Sequence, residues 1–328
     1  MKTVCDKYER TIDYMRISVT DRCNLRCIYC MPSDGVRHIE FKDILKYEEI
    51  TRVVRIAAKL GVRKIRITGG EPLFRRDLHS LISSLNRIEG IEDVGITTNG
   101  ILLKRYARQL AGSGLKRVNV SLDSLKQDRY REITRGGDIR DVFNGILEAK
   151  NEGFLPIKIN MIPIRGINDD EIEDFAMLTK YAPYHVRFIE FMPLAPGKLW
   201  AENTYVPTDE IKRRVSSIAP LTPVRVRKSG PARYYRMEGA AGVIGFISPV
   251  THHFCDSCNR LRLTSEGKLR PCLFNDTEVD LRSAIRYGAD DDEIERLLRY
   301  AIDIKPKRHS ISSETNFDHL ESMSRIGG

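Results

Sequence analysis

The chain has 328 residues, 41% of them hydrophobic, enough for one large domain or two with a sizeable core. No apolar run approaches the ~18 residues of a membrane span, and the opening MKTVCDKYER carries no apolar signal region, so a cytoplasmic chain with no membrane partner is expected. The formal charge of +9 fits an anionic partner such as a nucleotide or nucleic acid, although lysines and arginines on a solvated face would give the same sum.

From about Met15 to Met192, short β-rich runs alternate with helical segments. Strands are expected at 15–20, 64–68, 93–97, 116–121, 157–162 and 185–191. Between the first two, Ile50, Val53, Val54, Ala57 and Ala58 recur at helical spacing, and Gly61 follows as a C-terminal cap. A later helix is expected from Asn168, with Glu171 three residues on as a capping-box partner. Strands alternating with helices predict parallel winding. A closed eightfold barrel takes ~250 residues, so the shorter span here predicts a partial (β/α)6 TIM-like barrel. From about Leu221 the pattern changes to short strands and glycine-rich turns. Helical segments follow near 277–303, then a polar tail ending Gly327-Gly328. The expected division is a barrel core over 6–220 and a β-rich and helical extension over 221–328.

The strands alternate in a way that says where they face. Lys64 and Arg66 alternate with Ile65 and Ile67. Asn119, Ser121 and Asp123 alternate with Val118, Val120 and Leu122, and Lys158 and Asn160 with Ile157, Ile159 and Met161. Helices cover the outside of such a barrel, so the apolar set faces out and the polar set lines the lumen. A barrel lumen is ordinarily filled by branched apolar side chains. Cations and amides there predict a cavity for a polar, anionic ligand. An open sheet with one wet face would give the same alternation.

Seven cysteines are present, and six fall into two trios. Cys23, Cys27 and Cys30 are spaced C-x3-C-x2-C. Cys255, Cys258 and Cys272 are spaced C-x2-C-x13-C. Cys5 is left over. In a chain with no signal region, such clusters point to metal ligation or redox chemistry before disulfides. Each trio is one ligand short of a closed zinc site. His38 could complete the first, and His252 or His253 the second. A [4Fe–4S] cluster is normally held by four thiolates, and three would leave one iron open to an outside molecule.

The first trio, with Tyr29 just before its last cysteine, resembles the signature of the radical S-adenosylmethionine (SAM) superfamily. The turn Gly69-Gly70-Glu71-Pro72 after the second expected strand is similar to that family's turn near the SAM amino group, where glycine lets backbone approach a ligand closely. The second trio, the run Cys258-Asn259-Arg260-Leu261-Arg262 and the terminal Gly327-Gly328 resemble the GTP 3′,8-cyclase family of molybdenum cofactor biosynthesis.

The resemblance implies two [4Fe–4S] clusters, one on Cys23, Cys27 and Cys30 and one on Cys255, Cys258 and Cys272. It implies SAM contacts at Tyr29, Gly70, Ser121 and Met192. It implies GTP contacts at Arg16, Arg66, Thr97, Lys158, Arg260, Leu261 and Arg262, with Lys64 as a further phosphate contact. Arg16 is the one candidate for a catalytic part. In this family a 5′-deoxyadenosyl radical from SAM takes hydrogen from C3′ of GTP, and ring closure onto C8 gives (8S)-3′,8-cyclo-7,8-dihydroguanosine 5′-triphosphate. An external one-electron donor is implied, as is delivery of the product to cyclic pyranopterin monophosphate synthase, by a monomer or homodimer. The Gly327-Gly328 tail would reach the active site. Two other readings stay open: a radical SAM peptide maturase with an accessory cluster, and a basic, metal-stabilised nucleic-acid-binding protein.

Overall fold

The computed structural model describes residues 4–193, 199–201, 203–226, 230–309 and 323–326. Six strands alternate with helices along the first part of the chain: β1 (Tyr14–Ser18), β2 (Lys64–Thr68), β3 (Asp93–Thr98), β4 (Arg117–Ser121), β5 (Lys158–Met161) and β6 (His185–Ile189). The helices between them are α1 (Tyr47–Lys59), α2 (Leu78–Asn86), α3 (Leu103–Gly112), α4 (Gln127–Thr134), α5 (Ile139–Asn151) and α6 (Ile172–Tyr181), and α7 (Thr208–Ser216) follows β6. Neighbouring strands from β1 to β6 pair in parallel and in sequence order, which is the partial barrel that the alternation predicts.

The reason lies in the two faces. Ile65, Ile67, Val118, Val120, Ile159 and Met161 are buried in one continuous core with helix residues such as Val54, Leu81, Leu110, Ile146 and Phe175. α1 meets that core along its apolar stripe and ends where Gly61, at φ 107°, turns the chain, its N–H donating to Ala58 O at 3.1 Å.

One capping expectation is corrected. Asn168 and Glu171 do not bond each other's backbone as a capping box. α6 starts at Ile172, after a single 3-10 turn over Asp169–Glu171. Asn168 Nδ2 donates to Asp123 O at 2.7 Å, and Glu171 accepts from Ser124 Oγ at 2.7 Å and Leu125 N at 2.6 Å. Both side chains are fully buried, and the polar groups of the loop after β4 need partners there.

The C-terminal region forms β7 (Leu221–Val224), β8 (Arg233–Met237), β9 (Val243–Ile247), β10 (Arg260–Leu263), β11 (Lys268–Arg270) and β12 (Val279–Asp280), then α8 (Leu281–Arg286), α9 (Asp291–Asp303) and α10 (Met323–Ile326). These strands join the barrel sheet at both ends. β9 pairs in parallel with β6, and β10 in parallel with β1. The sheet order is β12-β11-β10-β1-β2-β3-β4-β5-β6-β9-β8-β7, an open arc with antiparallel ribbons at its two margins. Among the described residues no helix is long and apolar enough to cross a membrane. Gly327-Gly328 lies outside the described residues.

Candidate active site

The first cysteine trio sits in the loop that leaves the C-terminal end of β1. Main-chain bonds from Arg26 N to Thr134 O (3.0 Å) and Ile28 N to Ile133 O (2.9 Å) tie that loop to the end of α4. Tyr29 Oη donates to Asp123 Oδ2 at 2.5 Å, and Asp123 Oδ1 accepts from Ile162 N at 2.9 Å, so the trio is anchored over the ends of β4 and β5. Burial, with the Cys30 thiol and Asp123 close by, pushes Cys27 well above the ordinary thiol range. Burial likewise raises Cys23 to about 11.

The Gly69-Gly70-Glu71-Pro72 turn leaves the same end of β2. A side chain on Gly70 would put its Cβ 2.4 Å from Arg22 O, so the glycine permits close approach of the turn to the cysteine loop itself. Gly70 N donates to Thr20 O at 2.7 Å, and Glu71 N to Arg22 O at 2.8 Å. The fully buried Glu71 carboxylate accepts from Thr98 Oγ1, Leu73 N and Asn99 N, and burial lifts it to about 7 despite those bonds. Ser121 ends β4 and Met192 lies just past β6, both half-buried near this rim.

Below the rim, cations fill the lumen. Register places Arg262, Arg16 and Arg66 side by side on β10, β1 and β2, and opposite Gly95 on β3. A Cβ on Gly95 would fall 2.2 Å from an Arg66 guanidinium nitrogen, so the missing side chain is what lets Arg66 lie across β3. Lys158 stands beside Asn119 on β4 and His185 on β6. Asn119 Nδ2 donates to Thr97 Oγ1 at 3.3 Å, which brings Thr97 into the same row. Burial and then Arg187, Arg117 and Arg66 depress Lys158 to about 6. Burial lowers Arg16 to about 10, with Tyr14 opposing and Arg260, Arg66 and Arg187 adding to the fall. Burial alone would raise the Tyr14 phenol, but Arg66 and Arg16 outweigh it and bring it to about 7. Cations packed this closely repel, and a bound polyanion removes that repulsion.

Two of the expected residues have other surroundings in the structure, and one residue joins them. Lys64 Nζ pairs with Asp13 Oδ2 at 3.3 Å rather than standing ready for a phosphate. Leu261 is buried in the hydrophobic core, pointing away from Arg260 and Arg262. Arg187 belongs to the cationic group although the sequence reading left it out. Its signal was present: in His185-Val186-Arg187-Phe188 the polar residues hold the same alternate positions as Arg66 and Lys158. A nucleic-acid-binding face would expose its cations, whereas Arg66, Lys158, Arg187 and Arg262 are all buried.

The second trio lies at the other end of the lumen. Cys255 and Cys258 precede the N-terminal end of β10, and Cys272 follows the C-terminal end of its antiparallel neighbour β11. The first trio follows β1, which runs parallel to β10. The two trios are therefore separated by the length of a strand, roughly 17 Å for five residues, with the cations between them. Burial would raise the Cys258 thiol, but Arg260 and Lys305 outweigh it and bring it to about 7.

None of the cysteines is in a disulfide. Three ligands of one zinc ion converge on a point, whereas thiolates on separate corner irons of a cubane stand apart. Among the described residues no three His, Cys, Asp or Glu side chains close on a single ion. Of the histidines that could complete zinc sites, His38 meets Asp21 through Nδ1 at 3.3 Å, His252 meets Asp209 through Nε2 at 3.0 Å and His253 meets Pro249 O through Nδ1 at 2.9 Å.

Comparison with known proteins agrees with this geometry. The radical SAM superfamily model matches residues 17–179, and a model described as Molybdenum Cofactor Synthesis C matches residues 184–311. The chain is 53% identical over 325 residues to the GTP 3′,8-cyclase of Thermodesulfovibrio yellowstonii, covering 98% of this chain and 99% of the relative. It is 50% identical over 325 residues to that of Pelotomaculum thermopropionicum, with the same coverage. Among solved structures, Streptococcus suis SuiB bound to S-adenosylmethionine shares the fold, with a TM-score of 0.58 and 18% identity over 94% of this chain and 78% of that one. A radical SAM chain has a [4Fe–4S] cluster and SAM as its cofactors. The chain belongs to the radical SAM superfamily and, within it, to the GTP 3′,8-cyclase family.

Proposed function

We propose that the chain converts GTP to (8S)-3′,8-cyclo-7,8-dihydroguanosine 5′-triphosphate, the first step of molybdenum cofactor biosynthesis. The observation that carries the reading is the buried group of cations set between two cysteine trios at opposite ends of one lumen. When bound, the cluster on Cys23, Cys27 and Cys30 together with SAM supplies a 5′-deoxyadenosyl radical that takes the hydrogen from C3′ of GTP.

The chain's own residues do the positioning. Tyr29, Gly70, Ser121 and Met192 line the rim where SAM binds. Arg66, Lys158 and Arg187 hold the triphosphate, arginine as a bidentate fork and lysine as a point charge. Thr97 and Arg16 fix the middle of the nucleotide, and Arg260, the Leu261 main chain and Arg262 present the guanine to a second cluster on Cys255, Cys258 and Cys272. The core of 6–220 thus serves SAM and the triphosphate, and 221–328 serves the base. An external electron donor reduces the first cluster, and the product passes to cyclic pyranopterin monophosphate synthase. A cytoplasmic monomer or homodimer, with neither membrane nor nucleic acid as a partner, suits this chemistry.

Anaerobic incubation with SAM, a low-potential reductant and GTP tests the reading by mass spectrometry. The cyclised triphosphate and 5′-deoxyadenosine are expected to appear together. GTP recovered unchanged alongside continuing 5′-deoxyadenosine release would defeat it.

A further inference from the structure

Two buried cations from distant parts of the chain meet around the second trio. Lys305, just past α9, is 2% exposed, and its Nζ donates to Arg260 O at 2.9 Å and Pro271 O at 2.6 Å. One acceptor lies two residues beyond Cys258 and the other immediately before Cys272. Arg10, ahead of β1, donates to Cys255 O at 2.9 Å, and its remaining bonds run to Pro306 O and Lys307 O at 2.8 and 2.9 Å, the two residues after Lys305. Asp6 holds Arg10 from behind, its Oδ2 accepting from Nε at 2.6 Å. All three cysteine-bearing segments are thus fastened, through main-chain carbonyls, to one buckle made of Asp6, Arg10 and residues 305–307.

A neutral donor would satisfy two carbonyls at lower desolvation cost than a buried ammonium. Among the described residues Lys305 is paired with no carboxylate, and both of its acceptors lie within two residues of a cysteine of the trio. Hydrogen bonds and charge around a cluster's ligands set both its assembly and its potential. We propose that Lys305, steadied by Arg10, is a positioning residue that seats the second cluster's ligand segments and, through its charge, raises that cluster's reduction potential. The proposal rests on the reading of Cys255, Cys258 and Cys272 as cluster ligands.

The test uses the full chain carrying Cys23→Ala, Cys27→Ala and Cys30→Ala, reconstituted anaerobically, so that one cluster remains with about four irons. In that background Lys305→Gln keeps two donors without the charge, and Lys305→Met removes both. Expected for Lys305→Gln is full iron content with a midpoint moved negative. The ratio of reduced to oxidised cluster at a fixed potential falls about tenfold, ~59 mV for one electron. Expected for Lys305→Met is loss of more than half the iron, with Lys305→Arg recovering most of it. An unchanged midpoint in Lys305→Gln together with undiminished iron in Lys305→Met overturns the proposal. Should Lys305→Met lose its helical circular dichroism, the Lys305→Gln midpoint alone decides. A background protein that holds no iron defeats the second-cluster reading instead.

Discussion

The two cysteine trios differ at one thiol: burial raises Cys23 and Cys27 in the first and Cys255 in the second, whereas Cys258 in the second is drawn down. Around the first, burial raises Cys23 to about 11, with Glu71 adding, and lifts Cys27 well above the ordinary range, with Cys30 and Asp123 adding. Around the second, Arg260 and Lys305 overcome burial and draw Cys258 to about 7. Metal binding must displace thiol protons, and Cys258 is the thiol whose surroundings most favour that loss. The difference follows from architecture. The first trio sits at the barrel rim, where buried carboxylates tie down loops: Glu71 accepts from Asn99 N, and Glu190 from Val250 N and Thr251 N. The second sits at the far end, next to the cations of β10 and the end of α9. The lumen thus runs from a carboxylate-rich mouth to a cationic floor, a polarity that orients a ligand carrying several negative charges.

The sharpest way to break this comparison is to remove one thiol from each end. Cys27→Ala is expected to abolish 5′-deoxyadenosine formation with or without GTP. Cys272→Ala is expected to keep the GTP-independent release and lose the cyclised product, both read by chromatography of anaerobic reactions. Equal loss of both activities in the two variants would show that the trios do not divide the work. Next in size is Arg187→Ala. Loss of one hydrogen bond to a charged group is worth about 1.5–3 kcal/mol, so GTP affinity should fall roughly tenfold to a hundredfold, with guanosine affinity little changed, in anaerobic calorimetry.

Lys158 gives a smaller, pH-dependent effect. Its native value of about 6 lies below the ordinary 10.5. Between those values the unfolded chain holds a proton that the native chain lacks, so the stability of the nucleotide-free protein rises as pH rises through that window. Lys158→Met is expected to flatten the rise in urea titrations. A triphosphate beside the amine favours its charged form, so GTP binding at neutral pH takes up as much as about one proton, measured by calorimetry in buffers of different ionisation enthalpy. The smallest effect belongs to His252→Ala. With its Nε2 on Asp209, its loss should leave iron content unchanged, whereas zinc at the second trio would predict a drop in bound metal.

Much of this was legible in the chain because it is written at short range. The β2, β4 and β5 alternations gave both the barrel and the inward cations, since facing is a property of neighbouring residues. Cysteine spacing gave both trios for the same reason. What escaped lies in long-range packing. Nothing near Lys305 marks it as different from the other lysines, and its acceptors Arg260 O and Pro271 O become its neighbours only after folding. Asn168 and Glu171 matched a local capping pattern, but the loop after β4 competed for both side chains and won. Gly70 was read as a point where backbone approaches a ligand, and what approaches it in the folded chain is Arg22 O.

Because β9 and β10 close off the two margins of the β1–β6 arc, the last third of the chain is what shields the first two thirds from sticking to other molecules. A nascent chain released after α7 would present two bare rows of strand amides and carbonyls, a template for association. Synthesis of the protein therefore carries an interval of exposure that ends only when β10 has emerged and found β1. Dividing the gene near codon 220 would make that interval permanent.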